Sequence, residues 1–253
     1  LYFDAVRGDD QFTVVDTFTL YANEQGDALP KYFPDLLHLN ADGYAKWADA
    51  LVPVFATLGF LETEPDDFEV EPGFVSLFNG KDLTGWGFRP TPPRRAPKNP
   101  RPNAPVFVEI KEAESFDGKT TSSDNRYRAV NGRLVVATPS EGRRIQQLWT
   151  TAEYGSDFVL KLEFRATPNA DSGVFIRKPQ LQCRDYLLAG PYTELKSYKP
   201  QDWNELVVTV KGGIAHATCN GELLTDNMPV PESGPIGLEG DRGQMEYRRI
   251  RIK

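Results

Sequence analysis

Phe158-Val159-Leu160-Lys161-Leu162-Glu163-Phe164-Arg165 decides the architecture. Phe158, Leu160, Leu162 and Phe164 alternate with Val159, Lys161, Glu163 and Arg165, a period of two that buries one face of a sheet and wets the other. Upstream, Arg126 to Val130 and Arg133 to Val136 flank Asn131-Gly132, the dipeptide that tolerates positive φ twice and closes a tight hairpin. Downstream, Val174–Ile176, Leu206–Val210, Ile214–Cys219 and Tyr247–Ile252 are further β-rich runs separated by Gly, Asn and Pro. No helical period of any length interrupts them. About ten short strands predict a two-sheet sandwich or jelly roll from Phe74 onward.

The N-terminal quarter has another character. Residues 1–64 carry 11 acidic and 3 basic residues, whereas the rest carries 25 and 26. Residues 1–61 read as a small α/β piece. Phe12-Thr13-Val14-Val15-Asp16 suits a strand, and a helix capped by Asn40 or Asp42 has Tyr44, Trp47, Leu51 and Leu58 as its apolar positions. Pro53 should kink that helix or restart it. A piece of this size buries too little to stand alone, so it is expected to dock on the β domain or on a partner. Residues 62–73, with six acids and two prolines, read as a linker, which leaves 74–253 as the β domain. Within it, residues 90–105 hold seven prolines and four basic residues but no acid, an extended loop or a basic lid.

Composition excludes several functions. A net charge of −7 with no basic excess argues against nucleic acid, and no apolar run approaches the ~20 residues of a membrane span. Two histidines cannot build a His-rich metal centre, although carboxylates near Gly-rich turns leave calcium or another divalent ion open. Cys183 and Cys219 can form one disulfide or remain two buried thiols. The chain starts at Leu1-Tyr2-Phe3, which suggests removal of a leader or a longer parent protein.

Asp35-Leu36-Leu37-His38-Leu39-Asn40, followed by Gly43-Tyr44, resembles the last block of SGNH/GDSL-type hydrolases. The resemblance implies His38 as base and Asp35 as its orienting acid. The Gly-Asp-Ser nucleophile block and the oxyanion-hole blocks of that family do not occur here. The pair is therefore expected to be a vestigial dyad, in a fragment without esterase activity that docks to a partner, such as the upstream part of an SGNH domain.

Four further motifs, in order, carry a second resemblance: Phe74-Val75-Ser76-Leu77-Phe78-Asn79-Gly80-Lys81-Asp82-Leu83-Thr84-Gly85-Trp86; Asp157 to Arg165; Ala170-Asp171-Ser172-Gly173-Val174-Phe175-Ile176-Arg177; and Gly234 to Gly240 with Tyr247 to Lys253. Together they resemble the 3-keto-disaccharide hydrolases, concanavalin/laminin-G-like jelly rolls of secreted and periplasmic bacterial proteins. The resemblance implies an oxidised sugar as substrate. A C3 ketone acidifies the C2 proton, so that the C1 substituent is eliminated and the product hydrated. This chemistry needs a base, a cation or metal at the C3 oxygen and an acid at the leaving group.

Asp171, Arg177, Glu239 and Asp241 are the catalytic candidates. Arg177 is expected at the C3 oxygen and Glu239 or Asp241, on a Gly-rich turn, as the base. Asp171, Phe175 and Arg177 share a strand face, as do Gln182, Arg184 and Tyr186 on the next strand. Gln182, Arg184, Arg242 and Trp149 are candidates for sugar binding. Structural ion pairs and aromatic packing remain open for these residues and for Trp203, and packing for His216. The alternative reading is a non-catalytic carbohydrate-binding module once attached to an esterase; an adhesion or assembly module is a third.

Overall fold

The computed structural model describes residues 5–6, 9, 11–23, 25–61, 66–92, 104–187 and 195–253. Among the described residues, the helices α1 (Phe18–Tyr21) and α2 (Ala41–Thr57) precede the β domain. The described strands are β1 (Val75–Ser76), β2 (Trp86–Phe88), β3 (Val106–Phe107), β4 (Glu114–Ser115), β5 (Tyr127–Val130), β6 (Arg133–Val136), β7 (Arg144–Thr150), β8 (Phe158–Ala166), β9 (Asp171–Ile176), β10 (Gln180–Arg184), β11 (Asn204–Lys211), β12 (Ile214–Cys219), β13 (Glu222–Pro229), β14 (Ile236–Gly240) and β15 (Met245–Ile252).

They form a jelly-roll-like sandwich of two sheets. One sheet runs β13-β12-β11-β8-β15-β6-β5, with β1 on β15; the other runs β10-β9-β14-β7-β2-β4, with β3 parallel to β7. The period of two in β8 is realised: Phe158, Leu160, Leu162, Phe164 and Ala166 are buried, and the residues between them are half-buried. They meet Trp86, Leu148, Val174, Ile176, Leu181 and Leu238 of the second sheet in one core. The 131–132 turn has both residues at positive φ, 49° and 76°, and closes β5 onto β6 in register. Cys183 and Cys219 are free, buried thiols rather than a disulfide. Burial pushes both thiol pKa values up, that of Cys219 to about 12.

Two acids of 66–71, Asp66 and Glu71, find partners on the outer face of the eight-stranded sheet. Arg249 donates to Asp66 at 2.8 Å and Arg251 to Glu71 at 2.5 and 2.7 Å. Phe68 lies against both guanidiniums. Arg248 and Arg249 both reach Glu163 because β15 bulges there, with Arg249 at φ 52°.

In the N-terminal piece, Asn40 caps α2 by accepting from Gly43 N at 2.9 Å. Two expectations are corrected. Residues 12–16 find no neighbouring strand and form no ladder. The helix runs through Pro53 and buries Gly43, Ala50, Pro53, Val54 and Ala56, leaving Tyr44, Trp47, Phe55 and Leu58 exposed on its outer stripe. No described helix is long and apolar enough to cross a membrane. The Pro-rich stretch 93–103, core of the expected lid, lies outside the described residues, as do 62–65 of the acidic stretch.

Candidate functional site

The outer face of the seven-stranded sheet is built in three rows, each crossing neighbouring strands. The first row is aromatic. Trp149 of β7 and Phe175 of β9 both stand opposite Gly237 of β14, and their rings meet at 5.2 Å between centroids. A Cβ on Gly237 would come within 2.6 Å of the Trp149 ring, so only glycine lets the indole lie over this strand.

One step along the pleat, Glu239 stands opposite Gln147. Gln147 Nε2 donates to one carboxylate oxygen at 3.4 Å, and Gln180 Nε2 donates to the other. Gln180 reaches it from the register position of Phe175 by crossing Gly173, where a Cβ would overlap the glutamine side chain.

The third row is charged. Asp171 stands opposite Arg184, with Nη1 4.0 Å from Oδ1, while Nη2 of Arg242 lies 3.8 Å from Oδ2. Asp241 is engaged on both oxygens by Arg143, through Nε at 2.9 Å and through Nη2. At about 3.3 Å per residue, the rows span ~13 Å from the aromatic to the charged edge.

Burial raises the Glu239 pKa to about 7, and the neighbouring charges of Asp241 and Asp171 push the same way while the two amides oppose. Burial also raises the Asp171 pKa, against the pull of Arg184 and Arg242. The hydrogen bond to Asp241 raises that of Arg143. A half-buried carboxyl poised near neutrality can take up or release a proton at ordinary pH. The cations beside it can receive developing negative charge.

Of the residues expected from sequence, Asp171, Glu239, Asp241, Arg184, Arg242 and Trp149 gather here, and Gln182 stands opposite Gly173 in the same face. Glu239 lies within β14 rather than on a turn. Arg177 does not join them. Its φ of 63° breaks the alternation after Phe175, and the buried side chain turns over the Phe158 ring to donate to Ser156 O (2.6 Å) and Pro231 O (2.7 Å). Tyr186 likewise turns into the core against Phe164 and Tyr198.

His216 is exposed on β12 of the other sheet, where Arg165 and Arg248 lie over the Trp203 ring. Asp35 and His38 form an exposed pair, with Nδ1 2.7 Å from Oδ2. Hydrogen bonds from the His38 backbone and ring and from Leu37 hold the Asp35 pKa at about 2. No group of three or more His, Cys, Asp or Glu is placed to hold a metal ion among the described residues. Gln147, Gln180 and Arg143 escaped the sequence reading, although Gln147 shares the parity of Trp149, and Gln180 that of Gln182 and Arg184.

Residues 73–253 match the family model of the 3-keto-alpha-glucoside-1,2-lyase-like domain. The chain belongs to this family. Among solved structures, this 3-keto-alpha-glucoside-1,2-lyase-like chain is similar in fold to a protein assigned as a glycosyl hydrolase in Parabacteroides distasonis ATCC 8503. That likeness has 18% identity and a TM-score of 0.49, covering 75% of this chain and 99% of that one. A β-1,3-glucanase of Mycobacterium marinum matches at 10% identity and TM-score 0.41, over 76% of this chain and 100% of its own. The carbohydrate-binding module CBM66 of Bacillus subtilis matches at 11% and 0.35, over 68% and 96%. Comparison with curated proteins returned no match.

Proposed function

We propose that the β domain cleaves 3-keto-glycosides by elimination, with Glu239 as the base. The observation that carries this reading is Glu239 itself, a carboxyl with its pKa raised to about 7 and held, among the described residues, by amides between an aromatic row and a cationic row.

Glu239 takes the C2 proton, and the C–H electron pair forms the enolate of the C3 ketone. The guanidinium of Arg242, backed by the buried guanidinium of Arg184, takes the place first expected for Arg177 at that oxygen. The enolate collapses to the ketone with a C1–C2 double bond, and the C1 substituent leaves with the bond electrons and takes a proton from Asp171, whose carboxyl pKa burial raises. Water then adds across the double bond to give the free 3-keto sugar. Trp149 and Phe175 offer the sugar a stacking surface, and Gln182 a polar contact; Asp241 anchors Arg143.

Incubation with 3-keto-glycosides beside their unoxidised parents tests the reading. Turnover of the oxidised set alone, abolished in Glu239→Gln, supports it. Binding of both sets without turnover replaces it with a carbohydrate-binding module. The reading includes export to the periplasm or medium, as in the proteins whose motifs the chain resembles. Residues 1–61 enter it as an SGNH-type fragment without acyl-transfer activity, its outer α2 stripe available to a complementary part of such a domain. Turnover of p-nitrophenyl acetate that is lost in His38→Ala would refute this.

A further inference from the structure

Three loop segments converge behind the charged row, and one belongs to the N-terminal piece. Asn169 is their meeting point. It sits at φ 57°, a left-handed corner that asparagine tolerates better than most residues. Its backbone N donates to Asp185 Oδ2 at 3.0 Å, its carbonyl accepts from Arg242 Nε at 2.8 Å, and its side-chain Nδ2 donates to Asp16 Oδ2 at 3.0 Å. One residue thus ties Asp16 to the guanidinium that faces Asp171.

The two loops of the β domain are laced to each other. Asp171 N donates to Arg242 O at 3.0 Å, and Thr167 N and Gln244 O pair at 3.0 Å. At the far end of this lacing Gln244, itself buried, places Nε2 3.0 Å from both Pro53 O and Thr57 Oγ1 of α2. Beside the Gln244 grip lies a cavity of about 90 Å³, lined by Phe12, Thr13 and Thr57 of the N-terminal piece and by Arg126, Arg144 and Gln244 of the β domain. The joint is polar, so its geometry is set by hydrogen bonds more than by close packing.

We propose that residues 11–57 are a brace of the site: Asp16, acting through Asn169, holds Arg242 beside Asp171, and α2 fixes the same loop at Gln244. Asp16 and Asn169 are positioning residues, and the expected effect on turnover rests on the function proposed above. The position of Arg242 is readable without substrate, through the titration of the Asp171 carboxyl. That carboxyl is faced by Arg184 from β10, by Arg242 from the loop, and by Asp241 and Arg143 from the β14 side.

The test uses the full chain with Asp16→Ala, Asn169→Gly and the double variant. Glycine keeps the left-handed corner and both backbone bonds of Asn169 and deletes only the reach to Asp16. Asp27→Ala, which loosens a turn of the same piece without touching the β domain, is the control. By carbon-13 NMR, the Asp171 midpoint should rise in each single variant, with no further rise in the double and none in Asp27→Ala. On a 3-keto-glycoside, kcat/KM should fall about tenfold in the same three proteins.

An Asp171 midpoint at the wild-type value in both single variants overturns the brace, as do additive shifts or an equal shift in Asp27→Ala. Absence of turnover by the wild type overturns the proposed function instead, and the titration still decides the brace.

Discussion

The outer faces of the two sheets hold similar residues in opposite states of compensation. On the eight-stranded sheet Glu163 receives Arg248 and Arg249 at 2.7 and 2.8 Å, Glu246 receives Arg133 and Arg165 at 2.6 Å each, and Glu71 receives Arg251 and Lys161. Even the aromatic on that face, Trp203, carries two guanidiniums over its ring, at 4.7 and 4.0 Å from the centroid. On the seven-stranded sheet Glu239 has two amides, Asp171 keeps its arginines near 4 Å, and among the described residues no guanidinium lies over the aromatic row. A carboxylate closed by cations holds strands together. One that is buried and left without a contacting cation keeps its proton affinity for something else.

The largest expected effect tests whether that contrast is chemical. Glu239→Gln should lower turnover of a 3-keto-glycoside by on the order of 10²–10⁴, while Glu163→Gln stays within about twofold when assayed above its own melting loss. Equal losses at both positions would erase the distinction between the faces.

Stability should respond the other way round. Glu246→Gln leaves Arg133 and Arg165 without their buried anion, so it should cost about 3–5 kcal/mol in a urea melt. Its effect on turnover beyond the folded fraction should not exceed that of the brace variants, since Glu246 also accepts from Gln244 and Thr57. Glu239→Gln should cost far less, because the amide replaces a carboxyl whose ionised form the site disfavours.

A pH series sharpens this. The Glu239 pKa stands near 7 in the fold against an ordinary value of 4.5, so the folded state binds the proton more tightly. Its contribution is fully present below about pH 4.5 and is lost as pH rises through 7, a swing on the order of 3 kcal/mol. The wild-type Tm should therefore fall more steeply between pH 5 and 8 than that of Glu239→Gln, and parallel curves would contradict the raised pKa. The smallest effect concerns the strap on the other face. Asp66→Ala removes a partly exposed pair and should change stability by no more than about 1 kcal/mol.

The sandwich was legible because strand parity and turn chemistry are local. Alternation in 158–165 and Asn131-Gly132 act over a few residues, and the core followed. Part of the candidate site was legible for the same reason: parity sets Asp171 beside Phe175 on one strand and Gln182 beside Arg184 on the next, and the register of β9 on β10 then joins the two faces. Arg177 was misplaced because a positive φ in a non-glycine residue leaves no mark in the sequence. Gln180 was missed because its role depends on a neighbouring strand, across a glycine that clears its path. The wrong face of α2 was chosen because Tyr44, Trp47 and Leu58 outweigh Gly43, Ala50 and Ala56 in hydrophobicity, yet close approach to neighbouring chain selects the small residues. Large apolar side chains mark what a helix can bury, and only tertiary context shows what it does bury.

Where the N-terminal piece and its strap attach has a consequence for how the protein is made. Thr57, Asp66 and Glu71 all bind residues of β15, at sequence separations of 189, 183 and 180. The early part of the chain therefore leaves the ribosome long before its receiving surface exists. At roughly 5–20 residues per second, the wait is on the order of ten to forty seconds. During that interval Gln244 and Glu246 are not yet synthesised, and the end of α2 at Pro53 and Thr57 has no seat, although Ala50 already packs on Leu20 and Tyr21. Vectorial folding, which lets many domains settle from their first residues, is closed to this one. Strand β15 completes both the eight-stranded sheet and the seat of the N-terminal piece, so a chain stalled short of β15 would leave the end of α2 open to chaperones and proteases.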